Sequence, residues 1–216
     1  MRVGDQRSGA AASLWWCDHG AVAVWIFAGR LYEVVSAHSG PDDAWVYELA
    51  GLTGPPRTGP GLEVVVPDAT PDGPFTPMPA RYVFVRAGGG VVPWPILTRF
   101  VDLVRASGDL IGEPDLLAED AALPLTPNVW RHEERTFEVN RCHAGDDWSY
   151  ELCDPGTPAN DYLDVRVPDP QPDAGPFAPA PADRVTLTMH GAWTIPWPVF
   201  HRFLTAVEAT DAIVRP

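Results

Sequence analysis

His38-Ser39-Gly40-Pro41-Asp42-Asp43-Ala44-Trp45-Val46-Tyr47-Glu48-Leu49 has a shorter counterpart at His143-Ala144-Gly145-Asp146-Asp147-Trp148-Ser149-Tyr150-Glu151-Leu152. Each stretch opens on a histidine, passes through a turn rich in Gly and Asp, and continues as Trp-x-Tyr-Glu-Leu. Large apolar side chains at every second position match the period of a strand with one buried face. The Gly/Asp turn in front of them joins that strand to its predecessor as a hairpin.

Outward from the hairpin the match continues on both sides. Val24-Trp25, Arg30 and Glu33-Val34 recur as Val129-Trp130, Arg135 and Glu138-Val139. Val66-Pro67-Asp68 recurs as Val167-Pro168-Asp169, and Gly73-Pro74-Phe75 as Gly175-Pro176-Phe177. Pro93-Trp94-Pro95 with Arg99-Phe100 recurs as Pro196-Trp197-Pro198 with Arg202-Phe203. The common order and spacing mark a tandem duplication.

Each copy, a unit of roughly 100 residues, is predicted to be α+β: a mostly antiparallel five-stranded sheet, then one C-terminal helix packed on one face. Strands are expected near 21–28, 30–38, 44–50, 61–67 and 81–87, and again near 127–133, 135–143, 147–153, 162–168 and 183–190. Helices are expected near 95–107 and 198–209. Pro95 and Pro198 sit in their first turns, where proline is tolerated. Ile96, Leu97, Phe100, Leu103 and Val104 form one apolar stripe, matched by Val199, Phe200, Phe203, Leu204 and Val207. The proline-dense stretches 67–80 and 168–182 read as extended straps. The implied domains are 14–108 and 127–213, joined by an acidic linker over 109–126.

Pairing His38 with Trp45, and His143 with Trp148, sorts the side chains onto two faces. Tyr32, Val34, Ser36, His38, Trp45, Tyr47 and Leu49 share the core face, as do Phe137, Val139, His143, Trp148, Tyr150 and Leu152. On the opposite face the copies diverge. The first carries Val24, Ile26, Leu31, Val35, Val46, Val65 and Phe84. The second carries Val129, Arg131, Thr136, Asn140, Ser149, Arg166 and Thr186, and reads as solvated. Charge divides in the same way: residues 1–108 hold 10 acidic and 8 basic side chains, and residues 109–216 hold 19 and 7. An apolar face of this size is rarely left in water. The N-terminal Leu14, Trp15 and Trp16, the linker leucines 116, 117, 123 and 125, a second chain or a partner are the possible covers.

Candidate chemistry is sparse. Glu33 with Glu48, and Glu138 with Glu151, are expected as diagonal neighbours about 7–8 Å apart at the backbone. Such a pair can act as acid and base if the two environments differ. Arg pairing within the fold is the plainer expectation. His38 and His143 each sit beside a Trp, as packed rim residues do. Cys17-Asp18-His19 supplies a thiol and an imidazole but no third group. Cys142, opposite Ser149, and Cys153, opposite Glu138, are out of register for a disulfide. The start of a calcium-like loop, Asp68-Ala69-Thr70-Pro71-Asp72-Gly73, lacks the final glutamate, where Pro79 stands. No zinc spacing occurs, and neither a metal nor a cofactor is expected. Gly88-Gly89-Gly90 reads as a turn.

Composition excludes several classes. The chain has 216 residues, 25 prolines, 9 tryptophans and a formal charge of −14, and all 15 basic residues are Arg. Without Lys there is no pyridoxal Schiff base, no Lys nucleophile and no Walker A loop. The acidity disfavours direct nucleic-acid binding, which draws on phosphate neutralisation. No apolar run approaches the roughly 18 residues of a membrane span, and no signal peptide is evident, so a cytoplasmic location is expected. Three functional readings follow. The first is a non-enzymatic interaction protein, immunity- or antitoxin-like, that presents the apolar face of copy one or the acidic surface of copy two to a partner, a basic one being favoured by the acidity. The second is an enzyme or small-molecule carrier with an aromatic pocket between the copies, with Glu33, Glu48 and His38 as catalytic candidates. The third is a self-associating structural subunit.

Overall fold

The computed structural model describes residues 14–17, 20–53, 61–70, 72–112, 129–158, 161–173 and 176–214. The first half runs β1 (Leu14–Cys17), β2 (Gly20–Phe27), β3 (Arg30–Ser39), β4 (Ala44–Gly51), β5 (Leu62–Pro67), a 3₁₀ turn (Ala80–Tyr82), β6 (Phe84–Ala87), β7 (Gly90–Pro93) and α1 (Trp94–Ala106). The second runs β8 (Val129–His132), β9 (Arg135–Ala144), β10 (Asp147–Cys153), β11 (Tyr162–Pro168), β12 (Ala180–Pro181), a 3₁₀ turn (Ala182–Arg184), β13 (Thr186–His190), β14 (Trp193–Pro196), α2 (Trp197–Glu208) and β15 (Ile213–Val214). His38 pairs with Trp45, and His143 with Trp148. The hairpin register therefore buries Tyr32, Val34, Tyr47 and Leu49 in the first half, and Phe137, Val139, Tyr150 and Leu152 in the second.

The fold is α+β, but neither sheet has five strands. One has seven, in the order β1-β2-β3-β4-β5-β6-β14, and the other six, in the order β7-β13-β11-β10-β9-β8. The difference arises just before each helix. Where one strand was expected, the chain makes a 3₁₀ turn, a strand, a sharp corner and a further strand. That further strand joins the sheet of the opposite half. β14 pairs antiparallel with β6, from Phe84↔Pro196 to Ala87↔Trp193, while β7 pairs antiparallel with β13, from Gly90↔Met189 to Pro93↔Thr186. Segments 84–93 and 186–196 thus run antiparallel to each other throughout. At the crossing, residues 88 and 89 face residues 190–192, an offset of the kind that bends a strand. Gly89, Gly90 and Gly191 all have positive φ there.

The helices follow the exchange. Each was expected over its own sheet, but each begins against the other half. The Trp94 N–H at the start of α1 donates to the Val185 carbonyl, and the Trp197 N–H at the start of α2 donates to the Val83 carbonyl. α1 packs on the 3₁₀ turn Ala182–Arg184 and on β13, and α2 on the turn Ala80–Tyr82 and on β6. Beyond each helix the chain returns to its own half. The Ala80 N–H donates to the Ile111 carbonyl, and the Ala180 N–H to the Ala212 carbonyl. The apolar stripes, including Leu97, Phe100, Val104, Phe200, Phe203 and Val207, fall into a single core shared by both sheets. Arg135 spans the sheets, binding Asp154 Oδ2 through Nε and Nη2 and donating from Nη2 to the Thr194 carbonyl at 2.9 Å. Among the described residues, no helix is long and apolar enough to cross a membrane.

Candidate protein-docking face

Strand register places side chains in rows across the outer face of the seven-stranded sheet. One row runs Ala37, Val46, Val65, Phe84, Pro196. The next runs Val35, Glu48, Glu63, Arg86, Thr194. Beyond it lie Val24, Glu33 and Ala50, then Ile26 opposite Leu31. Five of the seven apolar residues expected on this face reach solvent at one end: Val24 is 41% and Ile26 66% exposed, and Leu31, Val35 and Val46 are half-buried. Phe84 is also half-buried, under the Arg86 guanidinium 5.4 Å from its ring. Val65 departs from expectation. At 1% exposure it is enclosed between Val46 and Phe84 on the neighbouring strands, and offers nothing to a partner.

Of the possible covers, the backbone of residues 14–17 extends the sheet at its edge as β1, paired antiparallel with β2. The linker leucines fall outside the described residues, as do Asp18 and His19 of the Cys-Asp-His cluster.

The carboxylates sit where the pairing put them, with a third beside them. Val35 opposes Glu48 and Ala50 opposes Glu33, so Glu33 and Glu48 are diagonal. Glu63, which sequence reading missed, lies directly opposite Glu48. Its signal was its parity with Val65 on the same strand. Arg86 reaches Glu63 Oε2 at 3.4 Å and binds Asp42 with both nitrogens, at 2.5 and 3.1 Å. The Arg86 guanidinium, then the Ser39 hydroxyl, hold the Asp42 carboxyl down at about 2. Ser39, Asp42, Glu48, Glu63 and Arg86, with walls formed by Val35, Ala37 and Val46, line an indentation of about 170 Å³ that Glu33 does not reach.

His38 lies at the rim, its ring edge-on to Phe75 and its Nε2 3.9 Å from Asp43 Oδ1. Phe75, from the strap, also packs on Trp45 with centroids 5.7 Å apart. Asp68 Oδ1 closes that strap by accepting the N–H groups of Thr70 and Thr76, which lowers its pKa. The second half repeats the device: Phe177 packs on Trp148, and Asp169 Oδ1 accepts the N–H groups of Gln171 and Ala178. Among the described residues, His38, Asp43 and Asp68 offer ligand atoms within 4.8 Å of one another and could meet a cation.

The outer face of the six-stranded sheet is less solvated than expected. Ser149 and Asp164 are each 1% exposed and bonded to each other at 2.5 Å, and Arg166 Nε caps Asp164 Oδ2 at 2.7 Å. Burying a carboxylate under its own guanidinium removes the cost of an unpaired charge. The Asp164-x-Arg166 spacing on a strand was the overlooked signal. Cys142 opposes Ser149 and Cys153 opposes Glu138, so the two thiols remain free. Burial first, then the nearby carboxylates, push the Cys153 thiol up, away from the thiolate a nucleophile needs.

A groove of about 1040 Å³ separates α1 from α2 and is lined by Trp94, Val101, Arg105, His201 and Leu204, among others. It lies at the junction of the halves, but Glu33, Glu48 and His38 do not line it. The pocket and the carboxylate pair of the enzymatic reading are therefore on different parts of the molecule. No protein-family model, curated protein or solved structure matches the chain.

Proposed function

We propose that this is a non-enzymatic interaction protein that docks a partner protein on the outer face of its seven-stranded sheet. The observation that carries it is the open apolar end of that face, Val24, Ile26 and Leu31 running into Val35 and Val46, on a sheet rigidly backed by the shared core. Contiguous exposed apolar surface next to polar groups is characteristic of interaction sites. A net charge of −14 favours a basic partner and speeds its association. The scaffold is a duplicated unit, with domains 14–108 and 127–213, working in the cytoplasm. Its duplication is supported by the same order of hairpin, strap, 3₁₀ turn, corner and helix in both halves.

The test is capture from source-cell extract with wild type and with Ile26→Asp. A partner held by wild type, then purified, is expected to bind at least tenfold more weakly to Ile26→Asp, since an unpaired charge in an apolar contact costs more than about 1.4 kcal/mol. Equal binding by the two proteins overturns the proposal. Self-association of the wild type, abolished by the same change, replaces the heterologous partner with a second copy.

A further inference from the structure

His38 stands near the end of β3, Asp43 in the turn before β4, and Asp68 just beyond β5. Their spacing along the chain matches no metal motif, and only the pairing of β3, β4 and β5 brings them together. One ring nitrogen and two carboxylate oxygens lie within 4.8 Å of one another. His38 Nε2 is 3.9 Å from Asp43 Oδ1, beyond hydrogen-bond reach. The two carboxylates rise from bonded backbones, because the Asp68 N–H donates to the Asp43 carbonyl at 3.0 Å. The described hydrogen bonds of the Asp68 carboxylate, from Thr70 and Thr76, all fall on Oδ1.

The second half carries the same residue types in the same places. His143 pairs with Trp148 as His38 does with Trp45, and the Asp169 N–H donates to the Asp146 carbonyl at 2.9 Å. Among the described residues, only the first set gathers. His143 instead lies on Trp148 with ring centroids 4.0 Å apart, and the Arg141 guanidinium sits 3.9 Å from the same Trp148 ring. Hairpin and strap therefore close without a histidine facing the carboxylates. In the first half the His38 ring meets Phe75 edge-on and turns Nε2 toward Asp43. The meeting of one imidazole with two carboxylates is thus a feature of its own, not a by-product of the scaffold.

We propose that His38, Asp43 and Asp68 bind a divalent first-row transition-metal ion of the zinc type, which fastens the strap to the hairpin tip. Imidazole nitrogen joined with carboxylate oxygen suits Zn²⁺ and its neighbours, whereas Ca²⁺ and Mg²⁺ take oxygen ligands. Bonds of about 2.0–2.2 Å place ligand atoms roughly 3–4 Å apart, so the three need to close by only about 1 Å. His38 and Asp43 are partly exposed and free to rotate by that amount. Three protein ligands leave a fourth position to water. The site needs no docked partner.

The probe is Zn²⁺ added to the full chain, with Mg²⁺ as the comparison. In NMR of the wild type, one equivalent of Zn²⁺ is expected to shift the His38 ring nitrogens and the amides of Asp43 and Asp68. Excess Zn²⁺ is expected to raise the melting temperature, and Mg²⁺ at the same concentration to leave the His38 ring unmoved. His38→Ala should weaken binding at this site at least about tenfold and abolish the gain in melting temperature, while His143→Ala keeps both. No shift at His38, an equal response of its ring to Mg²⁺, or binding centred on Cys142 or Cys153 overturns the proposal, and these readings need only the wild-type chain. Equal weakening by His38→Ala and His143→Ala overturns it as well.

Discussion

Asp42 and Arg86 carry a pH dependence whose sign follows from one interaction. The guanidinium favours the ionised carboxylate in the folded chain, so the folded pKa, about 2, lies below the ordinary value of 3.8. A depressed carboxyl pKa contributes stability above the unfolded pKa and loses it as pH falls through the folded one. The pair is therefore fully effective at neutral pH and is lost between about pH 4 and about pH 2. Both side chains are about one-third exposed, so screening reduces the contribution to about 1 kcal/mol. Denaturant titrations of wild type and Asp42→Asn should differ by that amount at pH 7 and converge near pH 2. A constant difference across the range would show that the pair is not the source. At this scale sequence reading located Glu33 and Glu48, because strand parity alone sets their face. It did not single out the Arg86 ion pair, because Asp42 lies in a hairpin turn 44 positions away.

Gly191 marks the corner at which the chain leaves one sheet for the other. Its φ is +72°, and a Cβ there would sit 1.8 Å from Asp161 Oδ1 and 3.1 Å from the Asp161 Cα. Gly191→Ala therefore meets both a left-handed backbone and a side chain that must move. The expected loss is about 1–3 kcal/mol, read as a lowered melting temperature, whereas Ala at the open Gly40 should change little. Equal effects at the two sites would show that the corner is not under constraint. Element type was legible where periodicity is strong: the helices over 95–107 and 198–209 appear as Trp94–Ala106 and Trp197–Glu208. The corners were not. Val91-Val92-Pro93 and Thr194-Ile195-Pro196 are too short for a periodic signal, and a run of glycines reads equally as a loose turn or as a bend between paired strands.

The two halves of the molecule are tied by two exchanged strands, two helix starts and Arg135. Each half's core is closed by the other's helix, so neither reaches its full burial alone. Unfolding of the full chain should be a single transition, with calorimetric and van't Hoff enthalpies equal. A protease site placed within 113–128 and cut in the folded protein should leave the fragments co-eluting at the mass of the intact chain. Two separate transitions, or fragments that elute apart while still folded, would show that the halves are independent.

Alternation and the internal match determined, from sequence alone, the hairpin register, the buried face of each sheet, the helices and the divergence of the outer faces. These are local properties: a strand or helix period is written in neighbouring residues, and a hairpin register follows from its turn. Tertiary structure decided which half each last strand and helix completes, how Val65 and Asp164 come to be buried on outer faces, and how Glu63, Glu48 and Asp42 gather around Arg86. Both halves present the same strands to each other, so a segment pairs equally well, by pattern, with its own sheet or with its counterpart's. Only the geometry of the corners and the closing of one shared core select between them.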